Sequence, residues 1–297
     1  MIIIVGTGAG GAILARELAS EGIDVTILEK GPYTHPKDAF NYYDKYSEDV
    51  DLLTTTCIGG ATAVSMSNMV RALTDELLDY DIDLSDAYDH VEDLINVHPL
   101  DDSHIGKGTQ AFLDAGYELG LQTMKMPKAI REEECIQCGK CAFGCPVDAK
   151  FTGKDFVDEA VENGATLICD ADVFEVISEN GQVKGVKYIK DGKEETLFAD
   201  KVVLSAGAIG STLILRKSGF EEAGREIFFD PFVSVGGFIK DINYNTEVQM
   251  AGLIVGKNFV LAPHYSSFIP GNIDDEEVTE KDILRNKIKT SDECKGY

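Results

Sequence analysis

The sequence is short of basic residues. Its 297 residues include 27 lysines and arginines against 52 aspartates and glutamates, which gives a formal net charge of −25. A surface this acidic repels the phosphates of nucleic acids and the headgroups of anionic lipids. We therefore expect neither nucleic acid nor an anionic membrane surface among the partners of the chain.

Long apolar runs are also missing. No stretch approaches the roughly 18 consecutive apolar residues of a membrane-spanning helix, so we predict no membrane span. The first apolar run begins at Ile2, which leaves no room for the charged segment that opens a secretory signal peptide. The seven cysteines do not suit a secreted disulfide framework, because four of them fall within residues 135–145. Together these absences predict a cytoplasmic protein.

The first thirty residues carry the pattern of a nucleotide-binding β-α-β unit. Residues 2–5 form a short apolar run that is typical of a buried parallel strand. The next residues, 6–11, are rich in glycine, and a helix over 12–21 is expected to follow them. A second strand over 24–28 ends at an acidic residue, Glu29.

The glycines of this unit satisfy the G-x-G-x-x-G fingerprint at Gly6, Gly8 and Gly11. The first glycine permits a tight turn, the second lets the backbone approach a pyrophosphate, and the third allows the helix to pack closely. The pyrophosphate would lie at the helix N-terminus, and Glu29 is placed for the ribose hydroxyls. We predict a dinucleotide site, although this spacing alone does not decide between FAD and NAD.

Turn signals organise the second half of the chain. Asn-Gly at 180–181 and Asp-Gly at 191–192 predict two hairpins that join three strands, the first of them over 165–177. A buried strand is predicted over 201–205. Alternating apolar and polar residues over about 232–268 predict an antiparallel sheet.

Several motifs, in their order along the chain, resemble those of the glucose–methanol–choline (GMC) oxidoreductase family. The stretch from Gly59-Gly60 to Arg71 is similar to the family's second flavin-contacting loop, and Gly207 to Ser211 is similar to its later signature. The cysteine run that precedes Lys150 is similar to the branch that contains long-chain alcohol oxidases.

This resemblance implies FAD as the cofactor and an alcohol CH–OH group as the electron donor, with a small-molecule alcohol as substrate. It implies that Gly59, Gly60 and Gly207 contact the cofactor and that Val173 meets the adenine through its backbone. The family's catalytic base is a histidine far toward the C-terminus, whereas this chain stops at Tyr297.

The catalytic residue is accordingly left unassigned. None of the five histidines stands in the context that the family predicts (His35, His90, His98, His104 and His264). We expect a flavin domain whose catalytic half is missing or is supplied by a C-terminal partner chain. The alternative to an FAD-dependent oxidoreductase that acts on a CH–OH group is a non-catalytic FAD and iron–sulfur electron-transfer subunit, or the N-terminal half of a split or truncated GMC enzyme.

The cysteine run has the C-x2-C-x2-C-x3-C spacing of ferredoxins at Cys135, Cys138, Cys141 and Cys145. Soft thiolates at these short spacings favour a [4Fe–4S] cluster, which would pass electrons singly from the flavin to an external carrier. Zinc and metal-free cysteines remain as alternatives.

The predicted fold class is α/β. It is an FAD-binding Rossmann-like fold with a parallel sheet and a β-meander, a cysteine-rich insertion, and the start of an antiparallel substrate domain. The predicted FAD-binding domain combines residues 1–73 and 150–235. The acidic helical insertion with the cysteines covers 74–149, and the partial substrate-domain sheet covers 236–297.

Overall fold

A computed structural model describes residues 1–44, 54–72, 74–227, 233, 242 and 246–264. The chain divides into two compact units. Unit 1 combines Met1–Ser67 with Ala142–Phe228, and unit 2 combines Asn68–Cys141 with Phe229–Tyr297.

The described residues form twelve strands and six α-helices. The strands are β1 (Ile2–Val5), β2 (Val25–Leu28), β3 (His98–Pro99), β4 (Gln122–Lys125), β5 (Pro127–Lys128), β6 (Thr166–Ile168), β7 (Asp172–Glu179), β8 (Gln182–Lys190), β9 (Lys193–Phe198), β10 (Lys201–Leu204), β11 (Gly252–Val255) and β12 (Val260–Leu261). The helices are α1 (Ala9–Ser20), α2 (Thr74–Leu78), α3 (Ser85–Leu94), α4 (Lys107–Glu118), α5 (Gly153–Glu162) and α6 (Gly207–Lys217). Short 3₁₀ helices cover Pro36–Tyr42, Gly60–Ala63, Asp102–His104 and Cys141–Phe143.

A four-stranded parallel sheet is the frame of unit 1. Its strand order is β10-β1-β2-β6, and every pairing in it is parallel. The apolar, β-branched residues of β1 and β2 are almost all buried, as expected for central parallel strands. The predicted β-α-β unit is therefore confirmed, and α1 begins three residues earlier than expected because Gly8 serves as its N-cap.

The second sheet of unit 1 is an antiparallel meander of β7, β8 and β9. Both predicted hairpins are confirmed. The central residues of the turns, Asn180-Gly181 and Asp191-Gly192, all have positive φ angles, which matches the twist of two-residue hairpins. Apolar residues of the meander pack against the parallel sheet, and Val173, Val186 and Tyr188 share a core with Ile3 and Leu28.

One predicted strand is wrong in extent. A single strand was expected over 165–177, but the structure divides it into β6, which joins the parallel sheet, and β7, which opens the meander. The chain turns between them at Asp170, whose φ of 55° is left-handed. Aspartate tolerates this conformation better than most residues, so the turn forms without glycine.

Unit 2 joins the predicted insertion to the C-terminal segment. Its antiparallel sheet has the order β12-β11-β4, so a strand from 122–125 pairs with one from 252–255. Helix α4 packs on this sheet against β4 and β11. The predicted antiparallel sheet over 232–268 is thus seen in β11 and β12, and much of the remaining range lies outside the described residues. The three-domain division stays a prediction beside these two units.

None of the helices that the structure describes is both long enough and apolar enough to cross a membrane.

Candidate dinucleotide-binding site

The turn between β1 and α1 needs glycine at two of its three fingerprint positions. Gly6 has a φ of +96°, and a Cβ atom there would lie 2.5 Å from the carbonyl oxygen of Ser205. A Cβ atom on Gly11 would lie 2.1 Å from the carbonyl oxygen of Gly6. These two glycines let the loop, the helix and the end of β10 pack without side chains between them.

Gly8 differs, because open space lies beside it. A Cβ atom on Gly8 would meet nothing within 4 Å, and its φ of −63° is one that any residue can adopt. Folding therefore does not require glycine here. Since Gly8 is the N-cap of α1, the open space lies at a helix N-terminus, where backbone N–H groups and the helix dipole favour an anion.

A second glycine pair faces this loop. Gly59 and Gly60 have φ angles of +83° and +53° and open the 3₁₀ helix Gly60–Ala63. A Cβ atom on Gly60 would lie 3.1 Å from Cα of Gly8. Gly153, the first residue of α5, also lies against this loop, since a Cβ atom on it would lie 2.6 Å from the carbonyl oxygen of Thr7. Three backbone segments of unit 1 therefore meet around the dinucleotide loop.

Glu29 follows β2 directly and is only 5% exposed. Its Oε2 accepts hydrogen bonds from Thr7 N at 3.0 Å and Thr7 Oγ1 at 2.5 Å, and its Oε1 accepts one from Gly31 N at 2.8 Å. Burial raises the pKa of Glu29, while these hydrogen bonds act in the opposite direction. The carboxylate is thus held against the dinucleotide loop, where the sequence predicts it.

The other two residues that are predicted to contact the cofactor, Gly207 and Val173, also belong to unit 1. Gly207, with a φ of +73°, is the first residue of α6, and the preceding residues Ser205 and Ala206 abut Gly6. Val173 lies in β7 opposite Tyr188, next to a bulge, and is 6% exposed. Their roles toward a cofactor stay predictions.

Sequence reasoning missed the residues that join the loops. Thr7 and Thr62 contribute hydroxyl groups between backbone segments, and the buried Lys150 donates from Nζ to the carbonyl oxygens of Ala63 and Ser65. No motif marked the two threonines. The start of α5 had a usable signal, since Thr152-x-x-Asp155 is a capping-box spacing and Thr152 N donates to Asp155 Oδ2 at 2.7 Å.

Arg71, quoted above as part of the second flavin loop, belongs to unit 2. Its guanidinium group donates to Glu92 and Asp89 on α3 and lies over the ring of Tyr88. These contacts anchor Arg71 to the acidic helix that follows it.

The cysteine run does not form a metal-binding group in this structure. The boundary between the units falls inside the run, so that Cys135, Cys138 and Cys141 belong to unit 2 and Cys145 to unit 1. Within the described part of the chain, no three His, Cys, Asp or Glu residues are arranged to hold a metal ion. Cys145 Sγ accepts a hydrogen bond from Ala149 N at 3.2 Å. The [4Fe–4S] cluster and its zinc alternative therefore stay predictions from the spacing.

A family model for GMC oxidoreductases matches residues 3–264. The chain belongs to the GMC oxidoreductase family. Its members are FAD-dependent oxidoreductases.

Curated relatives support the same family. An uncharacterized protein of Methanocaldococcus jannaschii is 31% identical over 99% of this chain and 72% of its own length. An uncharacterized GMC-type oxidoreductase of Mycobacterium tuberculosis is 30% identical over 80% of this chain. A long-chain-alcohol oxidase of Arabidopsis thaliana is 28% identical over 85% of it. The GMC chain spans only 43% and 39% of the last two proteins.

Solved structures show the same fold at lower identity. A pyridoxine 4-oxidase from Mesorbium loti matches 73% of the GMC chain and 51% of its own, with a TM-score of 0.56 and 19% identity. An FAD-dependent oxidoreductase from Chaetomium thermophilum matches 74% of the GMC chain and 47% of its own, with a TM-score of 0.53 and 18% identity. Membership of the GMC family supports FAD as the dinucleotide.

Proposed function

We propose that this chain is the FAD-binding part of an oxidoreductase that acts on the CH–OH group of a small alcohol. The observation that carries the proposal is the meeting of glycine backbones around the open space beside Gly8. Close backbone approach with no side chain in the way is what a buried pyrophosphate requires.

Each residue that is predicted to contact the cofactor has a role in binding it. The pyrophosphate lies on the N–H groups at the start of α1, next to Gly8. Glu29 accepts hydrogen bonds from the ribose hydroxyls, and the backbone of Val173 meets the adenine. Gly59, Gly60 and Gly207 give the rest of the cofactor access to the backbone. FAD would supply the chemistry as the acceptor of a hydride from the alcohol carbon, while a base that is not assigned among these residues would take the hydroxyl proton. This chain's residues would bind and orient the cofactor.

A second candidate follows from the unassigned catalytic residue: this chain supplies the flavin site, and a C-terminal partner chain supplies the base. The chain spans 43% and 39% of the length of two GMC relatives. General-base catalysis contributes typically 10²–10⁴-fold, so the chain alone would then turn over alcohols only slowly. Alcohol oxidation by the purified chain with an artificial acceptor would decide between the two candidates.

The iron–sulfur relay to an electron carrier stays a prediction from the cysteine spacing. Because the described cysteines form no metal-binding group, we derive no electron-transfer step through them. Iron and sulfide analysis of anaerobically purified protein would test it, and stoichiometric zinc without sulfide would contradict it.

The FAD site is tested by Gly8→Val. A Cβ atom at position 8 meets no protein atom within 4 Å and needs no unusual φ, so the variant is expected to fold. Its side chain enters the open space that the pyrophosphate would take, and bound FAD should be lost. The measurement is the flavin absorbance retained per chain after purification with added FAD.

Ser20→Val is the control. Ser20 is exposed in the last turn of α1, far along the helix from the N–H groups proposed to hold the pyrophosphate. This variant should keep its flavin. Stoichiometric FAD on Gly8→Val would refute the assignment of the pyrophosphate to this loop.

A further inference from the structure

Thr7 is buried and uses both hydrogen-bonding capacities of its hydroxyl group. Oγ1 donates to Glu29 Oε2 at 2.5 Å and accepts from the backbone N–H of Gly59 at 3.0 Å. Thr7 itself is 0% exposed. One hydroxyl group thus joins the dinucleotide loop, the acidic end of β2 and the second glycine loop.

Thr62 also uses its hydroxyl group both as a donor and as an acceptor, and it contacts the carbonyl group of Gly59 where Thr7 contacts the N–H group. Its Oγ1 donates to the carbonyl oxygen of Gly59 at 2.5 Å and accepts from the N–H of Gly153 at 2.7 Å. The second glycine loop is therefore joined to the start of α5 as well. Between them, the two hydroxyl groups hold the N–H and the C=O of one residue, Gly59.

The position of Gly59 determines the width of the proposed site. Gly59 has a left-handed φ, and a glycine can adopt other backbone conformations at little energetic cost. The loop therefore needs hydrogen bonds to residues outside it in order to keep this conformation. The next residue, Gly60, is the one whose Cβ atom would approach Gly8 Cα to 3.1 Å. A shift of Gly59 would move Gly60 against or away from the loop that receives the pyrophosphate.

We infer that Thr7 and Thr62 are positioning residues that hold the Gly59-Gly60 loop and Glu29 in the geometry that binds FAD. This inference rests on the proposed function. Neither threonine needs to touch the cofactor. Each acts through Gly59, and Thr7 also acts through the carboxylate proposed to hold the ribose.

Replacing Thr7 with valine keeps its shape and removes both hydrogen bonds. The buried N–H of Gly59 would lose its partner, and Glu29 would lose one donor. Leaving a buried donor unsatisfied is costly, so the loop should move to find another partner. We expect FAD to bind about tenfold more weakly or worse to Thr7→Val, and similarly to Thr62→Val. Serine restores the hydroxyl group, so Thr7→Ser should bind within about threefold of wild type.

The matched control is Thr26→Val. Thr26 is also a buried threonine of unit 1, but it lies in β2 and its hydroxyl contacts Met1 Sδ at 3.6 Å. FAD dissociation constants of the full chain and its variants would be measured by flavin fluorescence titration. Urea unfolding of the apoproteins would be measured in parallel. A merely structural threonine would lower stability without changing the affinity for FAD, as expected of Thr26→Val.

The outcomes separate this inference from the proposed function. Weaker binding in both loop variants, with rescue by Thr7→Ser and wild-type affinity in Thr26→Val, supports the inference. Wild-type affinity in Thr7→Val and Thr62→Val overturns it while FAD binding by the wild-type chain upholds the proposed function. If Thr7→Val does not fold, wild-type affinity in Thr62→Val overturns it equally. A wild-type chain that does not bind FAD would overturn both.

Discussion

Cys57 is placed for packing and not for reaction. It is 0% exposed in a small core with Ala39, Ala63 and Val64, two residues before the Gly59-Gly60 loop. Burial raises the pKa of its thiol to about 11. The thiolate is the form that reacts with electrophiles, so Cys57 should be inert although it lies beside the proposed flavin site.

Alkylation of the folded chain at pH 8 tests this prediction. Cys57 should react at least roughly tenfold more slowly than Cys145, which is only half-buried and whose sulfur accepts a backbone hydrogen bond. Peptide mass spectrometry after timed exposure to iodoacetamide would give the two rates. In urea they should become similar. Equal rates in the folded chain would show that the Cys57 core opens readily.

At the scale of elements, the parts of the fold that could be predicted are those with local signals. The β1–α1–β2 unit is marked by an apolar run, a glycine fingerprint and an acid at Glu29. The hairpins are marked by Asn180-Gly181 and Asp191-Gly192. Of the predicted contact glycines of unit 1, Gly6, Gly59, Gly60 and Gly207 have positive φ angles that glycine permits, and Gly11 allows the close packing of α1 on the loop.

What could not be predicted depends on distant partners. β4 pairs with β11 from more than a hundred residues away, and nothing in 122–125 identifies that strand. The division of β6 from β7 at Asp170 lacks the glycine or proline that normally marks a turn. Thr7 is one of many threonines until the loops that it joins are known to meet. The spacing of the cysteines predicts a cluster, and no group of three possible metal ligands is found among the residues that the structure describes.

Helix α4 has its N-terminal cap from a distant residue. The buried Glu247 accepts hydrogen bonds from Gly108 N at 2.6 Å, from Thr109 N at 2.9 Å and from Thr109 Oγ1 at 3.0 Å. The N–H groups of Gly108 and Thr109 belong to the first helical turn and have no partner within the helix. Glycine at 106 makes the approach possible, because a Cβ atom there would collide with the Glu247 side chain. The Glu247 carboxylate thereby links residue 247 to α4, which packs on the sheet of β12, β11 and β4.

Glu247→Gln should therefore destabilise unit 2. The variant keeps one acceptor oxygen but loses the charge and the second oxygen, so we expect a loss of about 1.5–3 kcal/mol in the free energy of unfolding. Glu118→Gln is the control, since Glu118 is exposed at the other end of α4. Urea unfolding of both variants measures the difference. A Glu247→Gln variant as stable as the control would mean that the cap contributes nothing.

At the scale of the whole molecule, the excess of acidic residues is the dominant electrostatic feature. With 52 acidic residues against 27 lysines and arginines, the chain has too few cations to pair with every carboxylate. Many of the ion pairs that do form are exposed, such as Arg225–Glu222, and exposed pairs contribute little to stability. Self-repulsion of such a surface destabilises the compact state.

Salt should consequently stabilise this protein. Raising NaCl from about 0.01 M to about 0.5 M shortens the screening length from roughly 30 Å to a few ångströms, and the thermal midpoint should rise by several degrees.

A triple variant that neutralises three exposed acids, Asp79→Asn, Glu133→Gln and Glu194→Gln, should be more stable than wild type in low salt and gain less from NaCl. The charge-preserving exchange of Asp and Glu at the same three positions should behave as wild type does. Thermal unfolding followed by circular dichroism at both salt concentrations would measure the three proteins together. An equal gain from salt in the neutralised and charge-preserving variants would show that NaCl acts through something other than the acidic surface.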